Sequence, residues 1–241
     1  MLSPVSWFLT LACLCFEACV VVSLLRRGDF RRYFVLGLYM ALSFLFGVTR
    51  YVILFRSGFD SNLYFFFYHY SDGFLTICFF FVLMSLYLMV FEDMGISRHL
   101  RVGALLLLSG TAWFSYQVLI ENLLKINTAN LQFARFVVEL EQNLYFVGLV
   151  LTFLLWGAMI KMRENRTRLI QMVLALGIYF SAFAAYYSLR NLHPQFRAIM
   201  DYVPPVMAVG LPLAWFITML RIPEEARLAT AQVVPVAKHH G

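Results

Sequence analysis

Charge is scarce in this sequence. Asp, Glu, Lys and Arg make up 13% of its 241 residues, against roughly 25% in an ordinary soluble domain, so a water-facing surface all round is excluded. Cysteine is sparse as well: the four residues Cys13, Cys15, Cys19 and Cys78 all fall inside apolar stretches. Cys15 and Cys19 share a helical face, but no His or carboxylate stands beside them at ligand spacing, so neither a metal site nor a structural disulfide is expected. No Ser/Gly/Pro linker and no low-complexity tract divides the chain, which reads as a single domain.

Other absences exclude chemistries. A retinal Schiff base needs a lysine inside the last span, whereas Lys125, Lys161 and Lys238 lie at or beyond span edges. A seven-helix zinc hydrolase or a bis-histidine haem needs several intramembrane histidines. Only His69 is inside a span, and His193 belongs to a connection. The glycines form no phosphate-binding loop. No catalytic residue, metal or cofactor is expected, and the chain is read as non-enzymatic.

What the chain has in abundance is apolar length. Hydrophobic residues make up 62% of it, gathered into runs long enough to cross a hydrocarbon core of ~30 Å. Seven runs stand near 5–25, 33–55, 63–90, 102–122, 142–161, 169–189 and 198–220. The expected fold is therefore an all-α bundle of seven transmembrane helices filling 1–241, with 221–241 as a short tail.

Basic residues orient the bundle. One side receives thirteen: Arg26, Arg27, Arg31, Arg32, Arg98, Arg101, Lys161, Arg163, Arg166, Arg168, Arg221, Arg227 and Lys238. The other receives six: Arg50, Arg56, Lys125, Arg135, Arg190 and Arg197. Positive charge collects in short cytoplasmic loops, so the N-terminus is expected outside and the C-terminus in the cytoplasm. The net charge of +6 points to anionic lipid headgroups and not to nucleic acid, because the basic loops hug the membrane. The first run has no basic segment before it and "LLRRGDFRR" after it, which marks a true span, not a signal peptide. The tail carries no kinase or cyclase, so any output is expected to pass through another protein chain.

Polar residues inside spans are the candidate site. His69, Asp72 and Thr76 of the third run are three and four residues apart and share one helical face. Arg50 sits ~8 Å inside the outer end of the second run, and a short connection makes the two runs antiparallel neighbours. Arg50 and Asp72 are thus expected to form a structural ion pair. A second reading is a polar ligand cavity open to the outside. Trp113, Tyr116 and Gln117 of the fourth run, Glu139, Gln142 and Asn143 of the fifth, Arg190 and His193 after the sixth, and Asp201 and Tyr202 of the seventh lie at the same level. Glu17 is the mid-membrane acid, ~18 Å down the first helix and on one face with Thr10 and Cys13; it reads as a hydrogen-bonded or protonated carboxyl, with a proton-coupled step as the sharper alternative.

Two further segments carry expectations. Pro204, Pro205 and Pro212 place a kink in the seventh helix. Between 121 and 143, Phe133, Phe136, Val137 and Leu140 keep helical spacing while Arg135, Glu139 and Gln142 fall on another face. That stretch is either an outward extension of the fifth helix, capped at Asn127 or Thr128, or an amphipathic helix on the bilayer.

The segments "LLRRGDFRRYFVLGLYMAL", "LYFFFYHYSDGF" and "VELEQNLYFVGLVLTFLL" resemble a family of uncharacterised seven-helix membrane proteins abundant in Acidobacteriota-type bacteria. Tyr64, Tyr68, Ser71 and Asp72 match its pattern of tyrosines followed by a small residue and an acid, whereas His69 stands where an aromatic such as Trp is expected. The resemblance implies a seven-helix fold in a bacterial cytoplasmic (inner) membrane, with no chemistry attached. A more distant likeness is to the seven-helix sensory modules of bacterial receptors. Three functions follow: a sensory or ligand-binding module acting through a partner chain, a non-catalytic accessory subunit of a larger membrane complex, and, third, a small-solute permease.

Overall fold

A computed structural model describes residues 4–58, 61–92, 97–123, 129–162, 164, 166–192 and 202–222. The described residues are helical, without a strand. The elements are α1 (Pro4–Arg27), a 3-10 turn at Asp29–Arg31, α2 (Phe34–Ser57), α3 (Asn62–Val90), α4 (Ser97–Leu123), α5 (Ala129–Lys161), α6 (Thr167–Leu192) and α7 (Val203–Arg221). All but α4 hold described stretches long and apolar enough to cross a bilayer, six in number, with mean hydropathies of 1.7 to 2.4. The chain is an all-helical, multi-pass membrane protein. The fourth expected span, near 102–122, coincides with α4 but is not among those six.

Local signals set the helix ends. The Ser61 hydroxyl accepts the Tyr64 N–H at 3.1 Å and caps α3, satisfying one of the donors that a helix start leaves open. Gly58 closes α2 at φ 76° and ψ 172°, a conformation that residues with a Cβ rarely take, and its N–H returns to the Leu54 carbonyl at 3.0 Å. Of the two readings of 121–143, an extension of the fifth helix is the one found for 129–143, because α5 begins at Ala129. Val137 and Leu140 are buried there, while Asn127 and Thr128 lie outside the described residues.

Six helices close a ring: α1 packs on α2, α2 on α3, α3 on α5, α5 on α6, α6 on α7, and α7 back on α1. α4 is left outside this ring, against α5 and, more lightly, α3. Helices consecutive in the chain alternate in direction, so one end of the bundle gathers the C-termini of α1, α3, α5 and α7 with the N-termini of α2, α4 and α6, and the ring contacts α3 on α5 and α7 on α1 are parallel.

That end is basic, and it is tied shut. Arg27 donates to the Leu220 carbonyl at 2.7 Å. Arg166 forks onto Glu164 at 2.9 and 2.8 Å and reaches the Met89 carbonyl at 3.0 Å. Arg168 pairs with Asp29 at 2.7 Å beneath the Tyr33 ring. Next to this belt the ring is filled by a dry core in which Leu24, Leu36, Leu83, Leu86, Met172 and Trp215 are each at most 1% exposed. Within it the Trp215 indole N–H donates to the Met172 carbonyl at 3.3 Å. The opposite half of the ring is different.

Candidate functional site

Away from the basic end the ring encloses a cavity of about 630 Å³, lined by α1, α2, α3, α5, α6 and α7. Along α3 its lining runs from Tyr64 to Phe79, about 22 Å at helical rise. Its mouth lies near the α2–α3 connection and its floor is the dry core.

The first cluster in it surrounds Arg50. The Nε–H donates to the Ser71 hydroxyl at 2.8 Å, Nη2 reaches the Tyr68 carbonyl at 3.3 Å, and the same Nη2 lies 3.2 Å from Asp72 Oδ1. The guanidinium also sits over the Tyr68 ring, 4.6 Å from its centroid, where the negative face of the ring adds attraction. α2 and α3 are antiparallel neighbours, and the serine, tyrosine and aspartate come from one turn of α3. His69 lines the cavity too, its ring 4.6 Å from that of Phe65.

A second cluster surrounds Glu17, only 5% exposed. Its Oε1 accepts the Ser43 hydroxyl from α2 at 2.5 Å and lies 3.6 Å from the Cys13 sulfur. That sulfur is also 3.2 Å from the Ala208 carbonyl of α7. Pro212 explains the carbonyl: proline has no N–H, so the carbonyl four residues earlier has no helical partner and is open to another donor. The other carboxylate oxygen, Oε2, is buried without a hydrogen-bond partner.

The third cluster centres on Glu141 of α5, 7% exposed. Its oxygens accept the Tyr187 hydroxyl at 3.2 Å and the Thr76 hydroxyl at 3.5 Å. Around these clusters stand tyrosines from four helices: Tyr39, Tyr64, Tyr68, Tyr145, Tyr179 and Tyr187. Three carboxyl groups among the described residues thus share one cavity with one guanidinium. Among the described residues no group of three or more His, Cys, Asp or Glu converges tightly enough to hold a metal ion.

Glu141 went unread in the sequence, although a signal for it was there. Val137, Leu140, Leu144, Tyr145 and Gly148 form the buried stripe of α5, and continuing the 3- to 4-residue step through 137 and 140 lands on 141. Glu139 and Gln142, expected at the cavity level, are half-buried and do not line it.

The residues expected from α4 stand apart from the cavity. Trp113 and Tyr116 are 64% and 47% exposed, and Gln117 is exposed as well; none lines the cavity, because α4 stands outside the ring and turns that face away from it. Its inward polar contact is Ser115, buried, whose hydroxyl donates to the Thr111 carbonyl at 2.9 Å and accepts the Asn143 amide at 2.9 Å. Tyr202 is exposed and likewise does not line the cavity. The Arg190 side chain, His193 and Asp201 lie outside the described residues.

This difference predicts a contrast within one helix. Trp113→Ala and Tyr116→Ala should each change unfolding free energy by no more than about 0.5 kcal/mol, as for other side chains away from packed contacts. Ser115→Ala, which strands the Asn143 amide, should cost about 1 to 2 kcal/mol. Reversible unfolding in mixed micelles measures all three.

No protein-family model, curated protein or solved structure matches this chain. Its function is argued from the cavity alone.

Proposed function

We propose that the chain is a non-enzymatic ligand-binding or sensory module of a bacterial cytoplasmic membrane. In this reading seven helices span the bilayer with the N-terminus outside and the C-terminus inside, and output passes through a partner chain. The observation that carries the reading is a polar cavity at one end of a ring whose other end is packed and dry. Because Arg26, Arg27, Arg31 and Arg32 stand at the dry end, the positive-inside rule turns the cavity mouth outward.

The closed floor favours binding over passage. A permease needs polar groups along a path through the inner half, where Leu83, Leu86, Val90, Met172 and Trp215 meet with at most 1% exposure. An accessory-subunit role is favoured instead by the outer flank of the bundle. There an apolar groove of about 440 Å³ between α2, α3 and α4 adjoins a helix exposing Leu105 and Leu106, with Trp113 and Phe114 further along it, the kind of surface a partner's helix covers.

Native mass spectrometry of the protein, extracted gently from its own membranes, separates the two. A lone chain retaining a small molecule that is lost in Asp72→Asn supports the binding module. A stoichiometric second polypeptide with no small molecule makes the chain a subunit and removes the cavity from the account.

A further inference from the structure

We infer that the cavity takes a small organic cation, its ammonium group held between the Glu17 and Glu141 carboxyls and its carbon framework against the tyrosine rings. The inference rests on the cavity being a binding site and names the class of ligand that fits it.

Charge comes first. Arg50 is committed to Asp72, Ser71 and the Tyr68 carbonyl, which leaves Glu17 and Glu141 as acids with no cation of their own among the described lining residues. A carboxyl buried at this depth is costly unless its oxygens are satisfied. At Glu17, which lines the cavity, half of that need is unmet: Oε2 is buried and has no hydrogen-bond partner. Glu141 meets hydroxyls of Tyr187 and Thr76, which satisfy hydrogen bonding but bring no opposite charge.

The surroundings then choose the kind of cation. A divalent metal ion wants several oxygen ligands converging on one point, and among the described residues no such convergence occurs. The carboxyls are instead spread through a cavity of about 630 Å³ whose walls are rich in tyrosine. Aromatic faces attract ammonium groups, more strongly once water is excluded, and they also cover apolar carbons. Carboxyls at separate points with rings between them match a molecule that has a charged head and a body. An anion would meet three carboxyls and a single guanidinium that already has its partners.

The test uses the purified full-length protein in nanodiscs and two pairs of probes of equal shape. Tyramine is paired with tyrosol, and choline with 3,3-dimethylbutan-1-ol, at constant ionic strength set by sodium chloride. Saturable binding should raise the unfolding midpoint by about 3 °C or more at saturation. The expected result is that at least one cation gives this shift, its uncharged counterpart gives less than a third of it, and Glu17→Gln or Glu141→Gln weakens the response at least tenfold in concentration. If the uncharged compounds act as well as the cations, the cavity binds ligands but the assignment of charge is wrong. Should the cation response survive both Gln variants, the cation sits elsewhere and the inference fails. If none of the four compounds shifts the midpoint, the inference fails and the binding-module reading loses its support. A variant that does not fold leaves the decision to the paired probes on the unaltered chain.

Discussion

Arg50→Gln is expected to lower the unfolding free energy by about 3 kcal/mol, the larger of the two single changes in its pair. Removing the guanidinium takes a donor from the Ser71 hydroxyl and from the Tyr68 carbonyl, which keep their 3.1 Å contact with each other, and it leaves the Asp72 carboxylate without its ion-pair partner. Breaking a buried pair by deleting one partner costs about 3 to 5 kcal/mol. The lower end applies because the Arg50 and Asp72 side chains keep 20% and 35% of their surface open to the cavity.

Asp72→Asn should cost less, about 1 to 2 kcal/mol, because Arg50 keeps Ser71, the Tyr68 carbonyl and the Tyr68 ring. The double variant should recover part of the loss, with a coupling energy of about 1 to 2 kcal/mol. Coupling near zero, from reversible unfolding of the four proteins in mixed micelles, would show that the pair contributes nothing structural and that its residues are retained for a ligand.

Gly148→Val should be comparably severe, at about 2 to 3 kcal/mol. A Cβ at Gly148 would stand 2.6 Å from Phe180 Cζ and 2.7 Å from its Cδ1, inside any van der Waals contact. Phe180 cannot swing aside, since it is 2% exposed and its ring centroid is 5.1 Å from that of Phe79 and 6.1 Å from that of Tyr145. α5 and α6 would have to separate, which opens the wall carrying Glu141 and Tyr187. Gly110→Ala supplies the control: nothing lies within 4 Å of a Cβ there, so it should be neutral or slightly stabilising through helix propensity. Equal effects of the two changes would mean that α5 and α6 are not in close contact at Gly148.

The architecture was legible because lipid imposes a simple rule. Every buried backbone group must be satisfied within its own segment, so long apolar runs become helices, and runs such as 33–55 and 63–90 reappear as Phe34–Ser57 and Asn62–Val90. The Arg50–Asp72 contact was legible too, because a short connection fixes which faces of α2 and α3 can meet. Ring order is another matter. Polarity and depth along the chain gave Trp113, Tyr116 and Gln117 the same standing as His69, and only the packing of α5 between α3 and α6 shows that α4 is outside. Ser43 and Glu141 escaped for a related reason: each looks unremarkable on its own helix and becomes a partner, of Glu17 and of Tyr187, only when distant segments are brought together.

An outward opening of the cavity is tested by thiol labelling in intact cells, with the four native cysteines replaced by Ala or Ser. Tyr51→Cys and Tyr64→Cys place one thiol each at the mouth, and Arg27→Cys places one at the basic end. A membrane-impermeant maleimide added outside should label the first two, and Arg27→Cys only after the membrane is opened. Labelling of Arg27→Cys from outside, with Tyr51→Cys and Tyr64→Cys protected until permeabilisation, would turn the bundle over and contradict an outward-facing binding cavity.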